Sequence, residues 1–82
     1  MMTKEEIQEW IDGEEHGRQT KPNVYQGNYL TYSYAWSKGL EYCMEHSEEE
    51  INEELERASR KDLDNNFSAA GYYKAIRMVV KG

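Results

Sequence analysis

Apolar residues recur along this chain every three or four positions, in separate stretches divided by turn-forming residues. That period belongs to helices buried along one face. Thr3, followed by Glu5 and Glu6, marks a first start: a hydroxyl cap with carboxylates in the opening turn. Ile7, Trp10 and Ile11 then form one short apolar stripe. Gly13 and Gly17 weaken the pattern, and Pro22 ends any helix by Lys21, so the first helix is predicted over about residues 4–16. Residues 17–28 are rich in Gly, Pro and Asn and read as a loop, with Val24 and Tyr25 as a short extended piece.

Residues 29–46 support two readings. Tyr29, Tyr32, Trp36, Leu40 and Cys43 recur at helical spacing, whereas Leu30, Tyr32, Tyr34 and Trp36 also alternate at period two behind Gly27-Asn28. The second pattern would make a short hairpin near residues 24–34. Helix throughout is the preferred reading, because a single short hairpin is marginal without further strands. Ser47, with Glu50 three residues on, spells a capping box and opens the next helix. Its buried stripe is Ile51, Leu55 and Ala58, and Glu53–Arg57 and Glu56–Arg60 are spaced as i,i+4 ion pairs.

Asp62–Asn66 breaks the pattern as a turn, and Ser68 is the expected cap of a last helix. There Ala69, Tyr72, Tyr73, Ile76, Val79 and Val80 share one face, with Lys74, Arg77 and Lys81 on the polar side. Gly71 within it costs about 1 kcal/mol relative to Ala, or permits a close helix crossing. The expected architecture is all-α: a small irregular four-helix bundle forming one domain over residues 1–82.

Composition adjusts this picture. A core in a chain of 82 residues supplies only about 3–5 kcal/mol of net stability, and Cys43, the sole cysteine, excludes an internal disulfide as a supplement. The mean hydropathy of −1.04 would suit a disordered chain were aromatics scarce, but they make up 12% of it. Tyrosine buries ring area and keeps its hydroxyl wet, so a folded domain with an amphipathic aromatic core is expected. No apolar run is long enough to cross a membrane, and Met1–Trp10 is not a basic-then-apolar signal segment, so the expected location is cytoplasmic. The net charge of −6 argues against nucleic acid and anionic membranes as direct partners. The charge is also polarised: residues 1–56 carry fourteen acidic against four basic residues, and residues 57–82 six basic against two acidic. Either these halves face each other in the fold, or they serve head-to-tail association or a basic partner.

Candidate chemistry is sparse. Cys43-x-x-His46 puts a thiol and an imidazole one helical turn apart, but zinc needs four ligands, and the only other histidine is His16. One turn of helix also places nothing opposite that pair to orient a substrate. The acidic groups at Asp12–Glu15 and Asp62–Asp64 lack any sign of a shielded pocket, and Asp62–Asn66 has no closing Glu of a calcium loop. Gly13 and Gly17 do not form a phosphate loop. No enzyme activity, metal or cofactor is expected.

Two features point instead to a protein partner. Eight carboxylates fall within residues 41–56, and on a helix such groups stand about 5–6 Å apart, a ladder that resembles a row of phosphates. The tyrosines of residues 25–42 are too many to face one core, so some are left for an interface, where Tyr and Trp are favoured anchors. The expected partner-binding residues are Glu45, Glu49, Glu50, Glu53, Glu56, Tyr29, Tyr34 and Tyr42. The function they suggest is a small acidic inhibitor or modulator of a basic protein, by analogy a phage-type antagonist of a host nucleic-acid enzyme. The alternative is a homo-oligomeric structural or adaptor protein, a homodimer in its simplest form.

The order Gly13-x-x-x-Gly17-Arg18, Pro22, Tyr25 and Trp36-x-x-Gly39-Leu40 loosely resembles ribosome modulation factor. That resemblance would imply a small basic ribosome-binding protein. Here the basic character is missing and Leu40 replaces a second tryptophan, so no function is carried over from it.

Overall fold

A computed structural model describes residues 1–60 and 67–82, with Arg60, Phe67 and Ser68 as backbone only. Four helices account for nearly all of these residues: α1 (Lys4–Thr20), α2 (Gly27–Glu45), α3 (Glu48–Arg60) and α4 (Phe67–Lys81). The all-α four-helix bundle is therefore the fold, and no strand occurs among the described residues. The turn expected at Asp62–Asn66, the Asp62–Asp64 carboxylates and the Arg60 half of the Glu56–Arg60 pair lie outside the description. Helix α4 begins at Phe67, so Ser68 stands inside its first turn instead of capping it. None of the helices, among the described residues, is long and apolar enough to cross a membrane.

Both predicted starts are capping boxes. Thr3 Oγ1 accepts from the Glu6 amide at 3.2 Å, and the Glu6 carboxylate accepts from the Thr3 amide at 3.0 Å. Helix α1 runs four residues beyond its predicted end, through Gly17 and Arg18, and closes when the Lys21 amide donates to the Gly17 carbonyl. The glycine at 17 is there for space: a Cβ would sit 2.6 Å from the Tyr25 hydroxyl oxygen, whose ring folds over that turn. The loop shrinks to residues 21–26, in which Val24 and Tyr25 both donate to the Lys21 carbonyl, a tight turn and not an extended segment. The hairpin near residues 24–34 does not form, and α2 runs from Gly27 through Glu45 as the helical stripe foresaw.

The core gathers Leu40, Ile51, Ile76 and Val79, all fully buried, with Ile7, Cys43, Ala58 and Tyr73 around them. Trp10 departs from its predicted stripe. Ile7 and Ile11 turn inward, while Trp10 sits on the flank of α1, 49% exposed. Helices α2 and α4 cross almost backbone to backbone. A Cβ on Gly39 would collide with the Tyr72 carbonyl oxygen, and one on Gly71 would lie 2.8 Å from the Tyr32 carbonyl oxygen. The small residues Ala35 and Ala75 flank the two contacts. Methyl-sized gaps thus let a chain with few large aliphatics gain close dispersion contact.

Candidate protein-interaction surfaces

Helix α3 is set by its first turn. The Ser47 amide donates to Glu50 Oε1 at 3.0 Å and the Glu50 amide to Ser47 Oγ at 3.3 Å, bonds that hold the Glu50 carboxyl below its usual range. Ile51 and Ala58 are the buried anchors. A helix turns by about 100° per residue, so Glu49, Glu53 and Glu56 emerge on the opposite side, over about 10 Å of axis. All three are exposed. The expected Glu53–Arg57 pair is not made. Arg57, itself 44% exposed, turns to Glu54 instead, donating to both its oxygens and, at 3.1 Å, to the Tyr73 hydroxyl, which in turn donates to Glu54 at 3.0 Å. Tyr73 decides that choice, because it rises from α4 beside Glu54 and offers a third partner. The consequence is that this cation neutralises the Glu54 carboxylate, while Glu49 and Glu53 face outward without it.

The corner between α2 and α3 carries Glu45, exposed at the last residue of α2, and Tyr42. Tyr42 is half-buried: its ring stacks on His46 with centroids 3.8 Å apart and meets Tyr72 edge-on at 6.1 Å. Its hydroxyl lies 3.5 Å from the Glu50 carbonyl oxygen, the long limit of a hydrogen bond. Burial, with Glu54 and Glu50 behind it, pushes the Tyr42 phenol up. His46 turns Nδ1 to the Tyr42 carbonyl oxygen at 2.9 Å, and Cys43 faces the core, where burial pushes its thiol up to about 11. Among the described residues, no three metal-ligating side chains converge.

Tyr29 and Tyr34 lie elsewhere. Both are about half exposed, at 52% and 53%. Tyr29 packs edge-on against Tyr25 with centroids 5.0 Å apart, and Tyr34 lies under the Arg18 guanidinium, whose carbon is 4.4 Å from the ring centre. Eight residues of helix separate Tyr34 from Tyr42, about 12 Å along the axis. The eight expected residues are therefore not one surface: Glu45, Glu49, Glu50, Glu53 and Glu56 with Tyr42 lie on α3 and at the α2–α3 corner, Tyr34 makes an aromatic patch with Arg18, and Tyr29 stands about 140° away from it round α2.

Sequence reasoning missed the polar seam beside the aromatic patch. Arg18 Nη1 donates to Ser33 Oγ and Ser37 Oγ, each at 2.8 Å, and Ser33 Oγ donates to Glu14 at 2.8 Å. Ser33 and Ser37 are 1% and 5% exposed, so this cluster binds α1 to α2 from inside. Its signal was two matched i,i+4 spacings, Glu14/Arg18 and Ser33/Ser37, hidden because polar residues read as solvent-facing. A cleft of about 400 Å³ opens between Arg18, Tyr34 and Lys38. No protein-family model matches this chain, and neither a curated protein nor a solved structure matches it significantly.

Proposed function

We propose that this protein is a binding protein, not an enzyme, which modulates a basic protein partner through the outward acidic face of α3. The observation that carries the reading is Glu49 and Glu53 standing on the exposed side while Arg57 is engaged by Glu54 and Tyr73. Glu56 continues the row, and Glu45 and Glu50 extend it round the α2–α3 corner. Carboxylates on a rigid helix with the spacing of a phosphate row suit a groove built for nucleic acid, and binding there is steep in salt. A phage-type antagonist of a host nucleic-acid enzyme is the form of modulator that best fits such acidity.

The test is retention from nuclease-treated lysate on the immobilised protein, eluted with rising salt. A basic nucleic-acid-binding protein released at moderate salt, and absent from the triple variant E49K/E53K/E56K, is the expected result. The three positions are exposed, so the variant keeps its circular dichroism spectrum. Equal retention of the same protein by the variant would sink the proposal.

A further inference from the structure

Two surfaces outside the α3 face complement one another. On α1, Trp10 holds its indole half in water, with exposed Glu9 beside it and half-buried Glu14, one oxygen of which accepts from Ser33, one turn on. Gly13, one turn on, has open space where a Cβ would be, and a notch of about 400 Å³ lies next to the indole. Along α4, a largely apolar groove of about 420 Å³ is floored by Trp36 and Met78. Lys74 and Lys81 rim it, both exposed and two turns apart, about 10 Å along the axis, with Arg77 between them. One surface is thus an apolar ring between carboxylates, and the other an apolar floor between ammonium groups.

We propose that the Trp10 ridge of α1 docks into the Trp36–Met78 groove of a second copy of this chain. A half-exposed tryptophan is the residue most often found as an interface anchor, and its surroundings match the groove in both hydrophobicity and charge sign. A purely polyanionic occupant would satisfy the lysines but leave the apolar floor uncovered. The N-terminus of α1 lies against the end of α4, the Met2 amide donating to the Val79 carbonyl at 2.9 Å. Ridge and groove are carried by helices joined at that end, and the pair proposed is two-fold, each copy giving its ridge to the other's groove. This contact does not involve Glu49 or Glu53 and stands independently of the function proposed above.

Sedimentation velocity on the full chain, from micromolar to millimolar and at low and high salt, tests the contact. The wild type dimerises, more weakly at high salt. W10A raises the dissociation constant about tenfold or more, and K74E/K81E abolishes the dimer at low salt. Mixing K74E/K81E with E9K restores association that neither shows alone, which a folding defect would not produce. The α3 variant E49K/E53K/E56K dimerises as the wild type does. A wild type that stays monomeric throughout, or a dimer indifferent to W10A, overturns the proposal.

Discussion

Helix α2 is held on its two sides by opposite means. Against α4 it relies on proximity: Gly39 faces the Tyr72 carbonyl, Gly71 faces the Tyr32 carbonyl, and alanines fill the margins. Against α1 it relies on polarity, with Arg18 shared between two buried serines and Ser33 passing a hydrogen bond to Glu14. The first seam meets through glycines, alanines and backbone atoms, none of which titrates, so salt and pH leave it alone, but it has no room for one more carbon. The second accepts changes of shape more readily, yet each of its buried groups depends on a partner. A small acidic chain with few large aliphatics uses both devices where a larger protein would use a thicker core.

Adding one methyl group separates the two devices most sharply. Alanine at position 39 would place its Cβ against a backbone oxygen that cannot swing aside, so the helices must part. Overpacking of that kind costs about 1–3 kcal/mol or more, against a helix-propensity gain of about 1 kcal/mol, and the net expectation for Gly39→Ala is a loss of about 2 kcal/mol. Gly71→Ala behaves similarly. Gly13→Ala meets nothing within 4 Å, and the same change there raises stability by about 0.5–1 kcal/mol. Urea midpoints of the three variants read this directly. Shifts of the same sign at Gly13 and Gly39 would show that the crossing is looser than described.

The polar seam yields a smaller loss with a different signature. Arg18→Met keeps the aliphatic stem and removes the donor from Ser33 and Ser37, for about 1–2 kcal/mol. Once Arg18 is gone, Ser33→Ala together with Ser37→Ala costs less than in the wild type, because the bonds from Arg18 are already lost and only the Ser33–Glu14 bond remains to break. A double-mutant cycle in urea therefore shows strong coupling between Arg18 and the serine pair. Additive losses would mean that the serines are held by packing and that the seam is apolar in substance.

Local features were the legible ones. The Thr3 cap, the Ser47 capping box, the inward faces of α3 and α4, and the helix over residues 29–45 follow from spacings within one or two turns. Gly17 read as a helix breaker because its occupant, the Tyr25 ring, comes from eight residues away. Gly71 could be read as a crossing point, whereas the matching role of Gly39 needed the partner helix to be in place. Arg57 changed partner for the same reason: Tyr73 is remote in sequence and adjacent in space. Trp10 shows the converse limit, since a spacing of three from Ile7 puts a residue on the flank of the stripe, and only the width of the neighbouring helix decides whether the flank is covered. Of the candidate site, the acidic row was legible as a row; that its tyrosines divide between two ends of α2 was not.

The mildest probe concerns the seam of α3 on α4, which mixes the two devices. Arg57 and the Tyr73 hydroxyl hold the Glu54 carboxyl below its ordinary value of 4.5. A carboxylate depressed in the folded state adds stability above its unfolded value, and that contribution is lost as pH falls through the folded one. Arg57 remains 44% exposed, so solvent screens the pair and keeps its contribution small. Glu6 and Glu50 are depressed in the same direction by their capping bonds, so the wild type loses stability in acid from several sources. Glu54→Gln isolates one of them. The variant starts slightly less stable at neutral pH, and its urea midpoint falls less steeply below about pH 4.5, so the two curves converge in acid. Parallel curves would show that Tyr73 positions Arg57 without help from the charge on Glu54, and that this seam belongs with the apolar one.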